Sequence, residues 1–196
     1  MNFLSHYYTE LPNNTPLFVT GLLLPDLTPQ FSKIYNKTIK NAPIPASEPL
    51  KNIHAGILAH YRGDKKFHNS ELFLHHQQLL TTSMVNEVLD RNLLRFSTLA
   101  HVGVELMIDR HIVIQHRDVC NDFYRCIDNA TEDDLIAYYK LHGLEPANRI
   151  FLSNFHFFRE RRFLFMLNDL NHVVFALNRI LGRVLKIEFT DREKSL

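Results

Sequence analysis

Beyond residue 47 the apolar positions of this 196-residue chain fall into segments of helical length, separated by turn and capping residues rather than alternating as in strands. The pattern predicts helices over 48–68, 70–82, 84–116 with a weak point near Asn92, 118–128, 132–142, 146–166 and 168–185. Ser47, followed by Glu48 and Pro49, has the form of an N-cap with a charged first turn, and Thr131 with Asp134 resembles a capping box that uses a shorter acid. Gly143 stands where a helix should stop and Pro146 where the next should open. Prolines 12, 16, 25, 29, 43, 45 and 49 crowd the first fifty residues, so 1–47 reads as an irregular segment of short helical turns and loops. Only VLKIEFT, at 184–190, alternates like a strand; with nothing obvious to pair with, it reads as a frayed helix end. The expectation is an all-α fold, a single-domain helical bundle over 1–196, with helices across 48–186 and residues 1–47 contributing to a site.

Two of these helices carry a polar row unlike a solvated face. In HYRGDKKFH, His60, Asp64 and His68 stand at i, i+4 and i+8, and in HVGVELMID, His101, Glu105 and Asp109 repeat the spacing. Val102, Val104, Leu106, Met107 and Ile108 surround the second row. A helix apolar on its other sides is buried, and its polar row needs partners inside the protein. Rows made only of His, Asp and Glu suit Zn, Mn or Fe, because neighbouring helices can aim imidazole and carboxylate ligands at one cavity; salt bridges are the alternative. His6, after Phe3 and Leu4, and Asp26, which closes the run from Gly21 to Pro25, are further candidates, although singly each also has the form of a cap or a satisfied core polar group.

Composition narrows the partners. With 22 Lys plus Arg against 21 Asp plus Glu, the net charge of +1 supplies no field for nucleic acid or an anionic membrane, and neither is expected as a partner. The 15 Phe and 7 Tyr give the volume of a packed core. The longest apolar stretch, around Leu17 to Leu24, is too short to cross a bilayer, no positive leader precedes it, and Cys120 and Cys126 point to different sides of a helix as free thiols. A cytoplasmic location is the expectation. From Pro146 onward Arg149, Arg159, Arg161, Arg162, Arg179, Arg183 and Lys186 outnumber the acids, which suggests a positive face for an acidic partner.

The opening MNFLSH, the G-x-x-x-x-D of Gly21 to Asp26, the G-I-x-x-H-x-R-x-D run from Gly56 through His60, Arg62 and Asp64, and the later acidic helix, in that order, resemble the acyl carrier protein phosphodiesterase family. The resemblance implies an HD-like helical metallohydrolase that uses manganese to remove the phosphopantetheine arm from acyl carrier protein. It carries over His6, Asp26, His60 and Asp64 as metal-site positions. The chain departs from the family pattern with His68 in place of a second Asp and with Glu105-Leu106 in place of an Asp-His pair, while His101 and Asp109 flank that glutamate. The metal set therefore reads as retained but re-liganded.

The expected activity is metal-dependent hydrolysis of a phosphodiester, on acyl carrier protein or another substrate. His6, Asp26, His60, Asp64, His68, His101, Glu105 and Asp109 exceed the four ligands of a structural zinc site, so they serve two ions about 3.5–4 Å apart or one ion with supporting residues around it. Asp64 and Arg62 are the expected catalytic residues, and Arg62 and Arg110, each a helical step from a row, the phosphate-binding ones. One rival is a histidine and carboxylate di-iron oxidoreductase, against which no Glu is followed three residues later by His. Another is a non-catalytic helical interaction protein. Homo-oligomer formation is left open.

Overall fold

The computed structural model describes residues 1–27, 43–87 and 93–184, and the chain is all-helical, with no strand among the described residues. Its helices are α1 (Phe3–Thr9), α2 (Pro16–Leu27), α3 (Glu48–His68), α4 (Glu71–Glu87), α5 (Leu93–Gln115), α6 (Arg117–Asp128), α7 (Glu132–Leu141), α8 (Glu145–Arg161), α9 (Phe163–Met166) and α10 (Leu170–Val184). Leu22, Ile57, Leu106, Phe123, Tyr139 and Phe155 belong to one buried apolar cluster that draws on α2, α3, α5, α6, α7 and α8. No helix among the described residues is long and apolar enough to cross a membrane. Cys120 and Cys126 are buried free thiols.

Two predicted boundaries hold, the first by its backbone and proline alone, without a side-chain cap bond from Ser47. Ser47 is the N-cap of α3, with proline in its first turn. Gly143 adopts φ 66° after α7, where its N–H donates to Lys140 O (3.1 Å) and that of Leu144 to Tyr139 O (2.9 Å). This is the Schellman arrangement that a residue without Cβ adopts at no steric cost.

Three boundaries differ. The N-terminal segment is more regular than expected, because α2 runs for twelve residues from Pro16 with Pro25 inside it. The expected break between 82 and 84 is absent: Thr81 Oγ1 donates back to Gln77 O (2.8 Å), and a hydroxyl so engaged sits within a helix. The expected helix 146–166 is instead divided at Arg162, which takes φ 49°. There the guanidinium pairs with Asp128 Oδ2 (2.6 Å) and lies over the Tyr124 ring (4.7 Å), while Leu164 N–H donates to Tyr124 Oη (3.0 Å). Asn92 and the strand-like residues beyond Val184 lie outside the described residues.

The packing that positions the site is that of α2 on α3. A Cβ added to Gly21 would lie 2.3 Å from the Ile53 carbonyl oxygen, and one added to Gly56 would lie 2.1 Å from that of Phe18. The two backbones therefore touch where no other residue fits. Gly21→Ala or Gly56→Ala should lower stability by about 1–3 kcal/mol through overpacking, read as a lower denaturation midpoint. Gly103→Ala is the control, since the nearest atom to its Cβ is Leu80 Cδ1 at 3.7 Å. It should leave stability unchanged or raise it, and a Gly56→Ala protein as stable as the control would contradict this account of the crossing.

Candidate metal centre

His60, four residues past Gly56, is buried, and its Nδ1–H donates to Leu22 O at 2.9 Å. That bond places Nε2 opposite two carboxylates, 3.3 Å from Asp64 Oδ2 and 3.8 Å from Asp26 Oδ1. A ring nitrogen facing two carboxylates is stable only with positive charge between them, whether a proton or a metal ion. Burial pushes the His60 imidazole down, but Asp64 and Asp26 outweigh it and the net shift is upward.

From α1, His6 stacks on the His60 ring, with centroids 3.9 Å apart. Its Nε2 lies 3.2 Å from Asp64 Oδ1, yet it is buried and makes no aligned hydrogen bond. Burial pushes this imidazole down to about 4, so it is neutral at pH 7. A neutral, buried imidazole nitrogen close to a carboxylate is what a metal ligand requires. Ligand atoms of His6, Asp26 and His60 lie within 4.8 Å of one another, and these residues could hold a metal ion.

A second group stands beside the first. Ligand atoms of His68, His101 and Glu105 also lie within 4.8 Å of one another. His68 Nε2 is 2.9 Å and His101 Nε2 3.3 Å from Glu105 Oε1. The first row joins the two groups, because i+4 spacing drifts by about 80° over eight residues: His60 faces one group, His68 the other, and Asp64 stands between them. The amino nitrogen of Met1 lies 2.7 Å from Asp64 Oδ1 and 3.0 Å from Glu105 Oε1.

The carboxylates differ in state. Burial pushes Asp64 up, but His6 and His60 overcome it and hold the group far below the usual carboxylate range; His101 and His68 do the same for Glu105. Asp26, where burial outweighs the His60 charge, rises to about 6.

Asp109 belongs to neither group. The drift that separates His60 from His68 turns Asp109 towards α1, where its Oδ2 accepts Leu4 N–H (3.1 Å) and its Oδ1 accepts Ser5 N–H (2.8 Å). These are first-turn donors with no partner inside their own helix. Asp109 thus positions the helix that carries His6, and burial raises it to about 7 despite the two N–H groups.

The arginines also lie elsewhere. Arg62 is exposed, two residues past His60 and so about 200° round the helix from it. Arg110 donates from Nη2 to Asn168 O at 3.3 Å. In the basic C-terminal stretch, Arg159 pairs with Asp128 and Glu132, and Arg162 with Asp128, so two of its charges are already balanced.

Gly63 and the Leu22 carbonyl were not singled out from sequence. A Cβ on Gly63 would lie 2.6 Å from Met1 Cε and 3.1 Å from His6 Nδ1, so this glycine makes room for α1. A glycine inside a helical polar row is the signal that points to such an approach.

Asp109→Ala should remove about 1–3 kcal/mol of stability by freeing two buried N–H groups, while the number of Mn²⁺ ions bound per chain at saturation stays the same. Loss of a bound ion from a folded Asp109→Ala protein would return Asp109 to the ligand set.

No family model, curated protein or solved structure matches the chain.

Proposed function

We propose that this chain is a metal-dependent phosphodiester hydrolase of HD-like architecture, acting on the phosphopantetheine arm of acyl carrier protein. The observation that carries the reading is the meeting of His6, Asp26 and His60 within 4.8 Å, with Asp64 in contact with both imidazoles. These four residues come from three separate helices, and they are the positions that the sequence resemblance implies. Manganese follows from that resemblance; zinc and iron suit the same donors.

A divalent ion bound there supplies Lewis-acid activation of water and offsets charge on the phosphoryl oxygens. The chain's own contribution is orientation. Leu22 O holds the His60 ring by its Nδ1–H, so that Nε2 faces the centre. Asp64 touches His6 and His60 with different oxygens, which keeps the two rings in register and keeps negative charge in the site. Asp26 stands at the edge of this group, 3.8 Å from His60 Nε2, where its carboxylate would add an oxygen ligand. Arg62 and Arg110 have no phosphate-binding role in this reading, because neither reaches the group.

Asp64→Ala tests it. With Mn²⁺ present, the wild-type protein should hydrolyse bis(p-nitrophenyl) phosphate and release the phosphopantetheine arm from holo acyl carrier protein, followed by the mass of the carrier. The variant should keep its helical circular dichroism and lose about 100-fold or more in turnover. Equal turnover in a folded Asp64→Ala protein, or turnover that survives complete chelation, would overturn the assignment.

A further inference from the structure

The two halves of the centre differ in access. His6 and His60 are 1% and 2% exposed, whereas the side chains of His68 and His101 are 30% and 37% exposed. In the outer half both imidazoles turn Nε2 towards a single oxygen, Glu105 Oε1, and their ring centroids are 4.6 Å apart. Phe73, itself buried, packs against both rings, with centroids 4.9 Å from each. The pair is thus braced from behind by an apolar wall while its nitrogens face the carboxylate. His68 comes from α3 and His101 from α5, so the convergence is tertiary and not an accident of one helix's spacing.

We propose that His68, His101 and Glu105 form a second metal site, which binds its own divalent transition-metal ion separately from the inner group and exchanges it with solvent more readily. Two imidazoles and one carboxylate are the donor set of open-coordination zinc sites, with further positions left for water or substrate. Both imidazoles share one nearly buried oxygen, Glu105 Oε1, and as hydrogen bonds these contacts need a proton on each Nε2. An ion takes the same three donors without a proton on either Nε2, and its binding releases whatever protons they carry. Because this half is the more exposed one, its ion is the one that a substrate meets first. The assignment does not depend on which reaction the centre carries out.

Equilibrium dialysis of the full chain against Zn²⁺ should give two ions per chain in the wild type. The His68→Ala/His101→Ala double variant should give one, with unchanged circular dichroism, and His60→Ala should lose the other. Should the double variant fail to fold, His101→Ala alone removes the most exposed of the three donors. It should weaken the more weakly held ion by about 10-fold or more and leave the tighter one alone. A wild type that binds one ion overturns the second site and leaves the inner group standing. A wild type that binds none overturns both. Two ions retained with unchanged affinities in either folded variant would show that the second ion lies elsewhere.

Discussion

The close crossing of α2 and α3 at Gly21 and Gly56 is the constraint on which the centre depends. At the meeting point the added Cβ atoms would fall within 2.3 Å of backbone carbonyl oxygens, so only hydrogen fits on either side. Asp26 lies five residues past one glycine and His60 four past the other, and these similar offsets carry both side chains to the same end of the crossing. The Leu22 carbonyl then meets His60 Nδ1, and the Asp26 carboxylate faces Nε2. One turn from His60 towards the end of α3, Gly63 leaves the space into which His6 fits from α1. Three close approaches, each at a glycine or a backbone carbonyl, turn an ordinary helical packing into a cluster of ligands.

Gathering those ligands creates an electrostatic problem that accounts for most of the unusual ionisation states. Asp26, Asp64 and Glu105 share one partly closed space, where like charges cannot all persist without compensation. Asp64 and Glu105 stay ionised because imidazoles lie within hydrogen-bonding reach, whereas Asp26, whose partner among the described residues is His60 at 3.8 Å, is shifted towards its neutral form. A divalent cation resolves the same imbalance with fewer protons. The charge pattern and the donor set are thus both ones that could hold a cation, although they arise from different features of the packing.

Much of this was legible in the sequence because helical periodicity is a local property. His60, Asp64 and His68 share a face by spacing alone, and the apolar surroundings of His101, Glu105 and Asp109 show that their helix is buried. What periodicity does not carry is the drift of a row round its axis, so Asp109 was grouped with the ligands when its carboxylate in fact holds the first turn of α1. Arg62 and Arg110 were placed by proximity in sequence, and the first faces solvent while the second is drawn to Asn168. The division of the helix at Arg162 depends on Asp128 and Tyr124, more than thirty residues away, and no local pattern announces it. The regularity of α2 was hidden by prolines, one of which opens that helix while another is tolerated within it.

The central claim is that His6, Asp26, His60 and Asp64 are held together to bind a metal ion. The most direct measurement is an anomalous-scattering map from a crystal of the protein grown with Mn²⁺. The account predicts a manganese peak among these four side chains, at about 2.0–2.3 Å from His60 Nε2 and from a carboxylate oxygen, with the Leu22 carbonyl still holding Nδ1. A map at saturating Mn²⁺ with no peak there, and with the imidazoles and carboxylates paired only to one another, would contradict it.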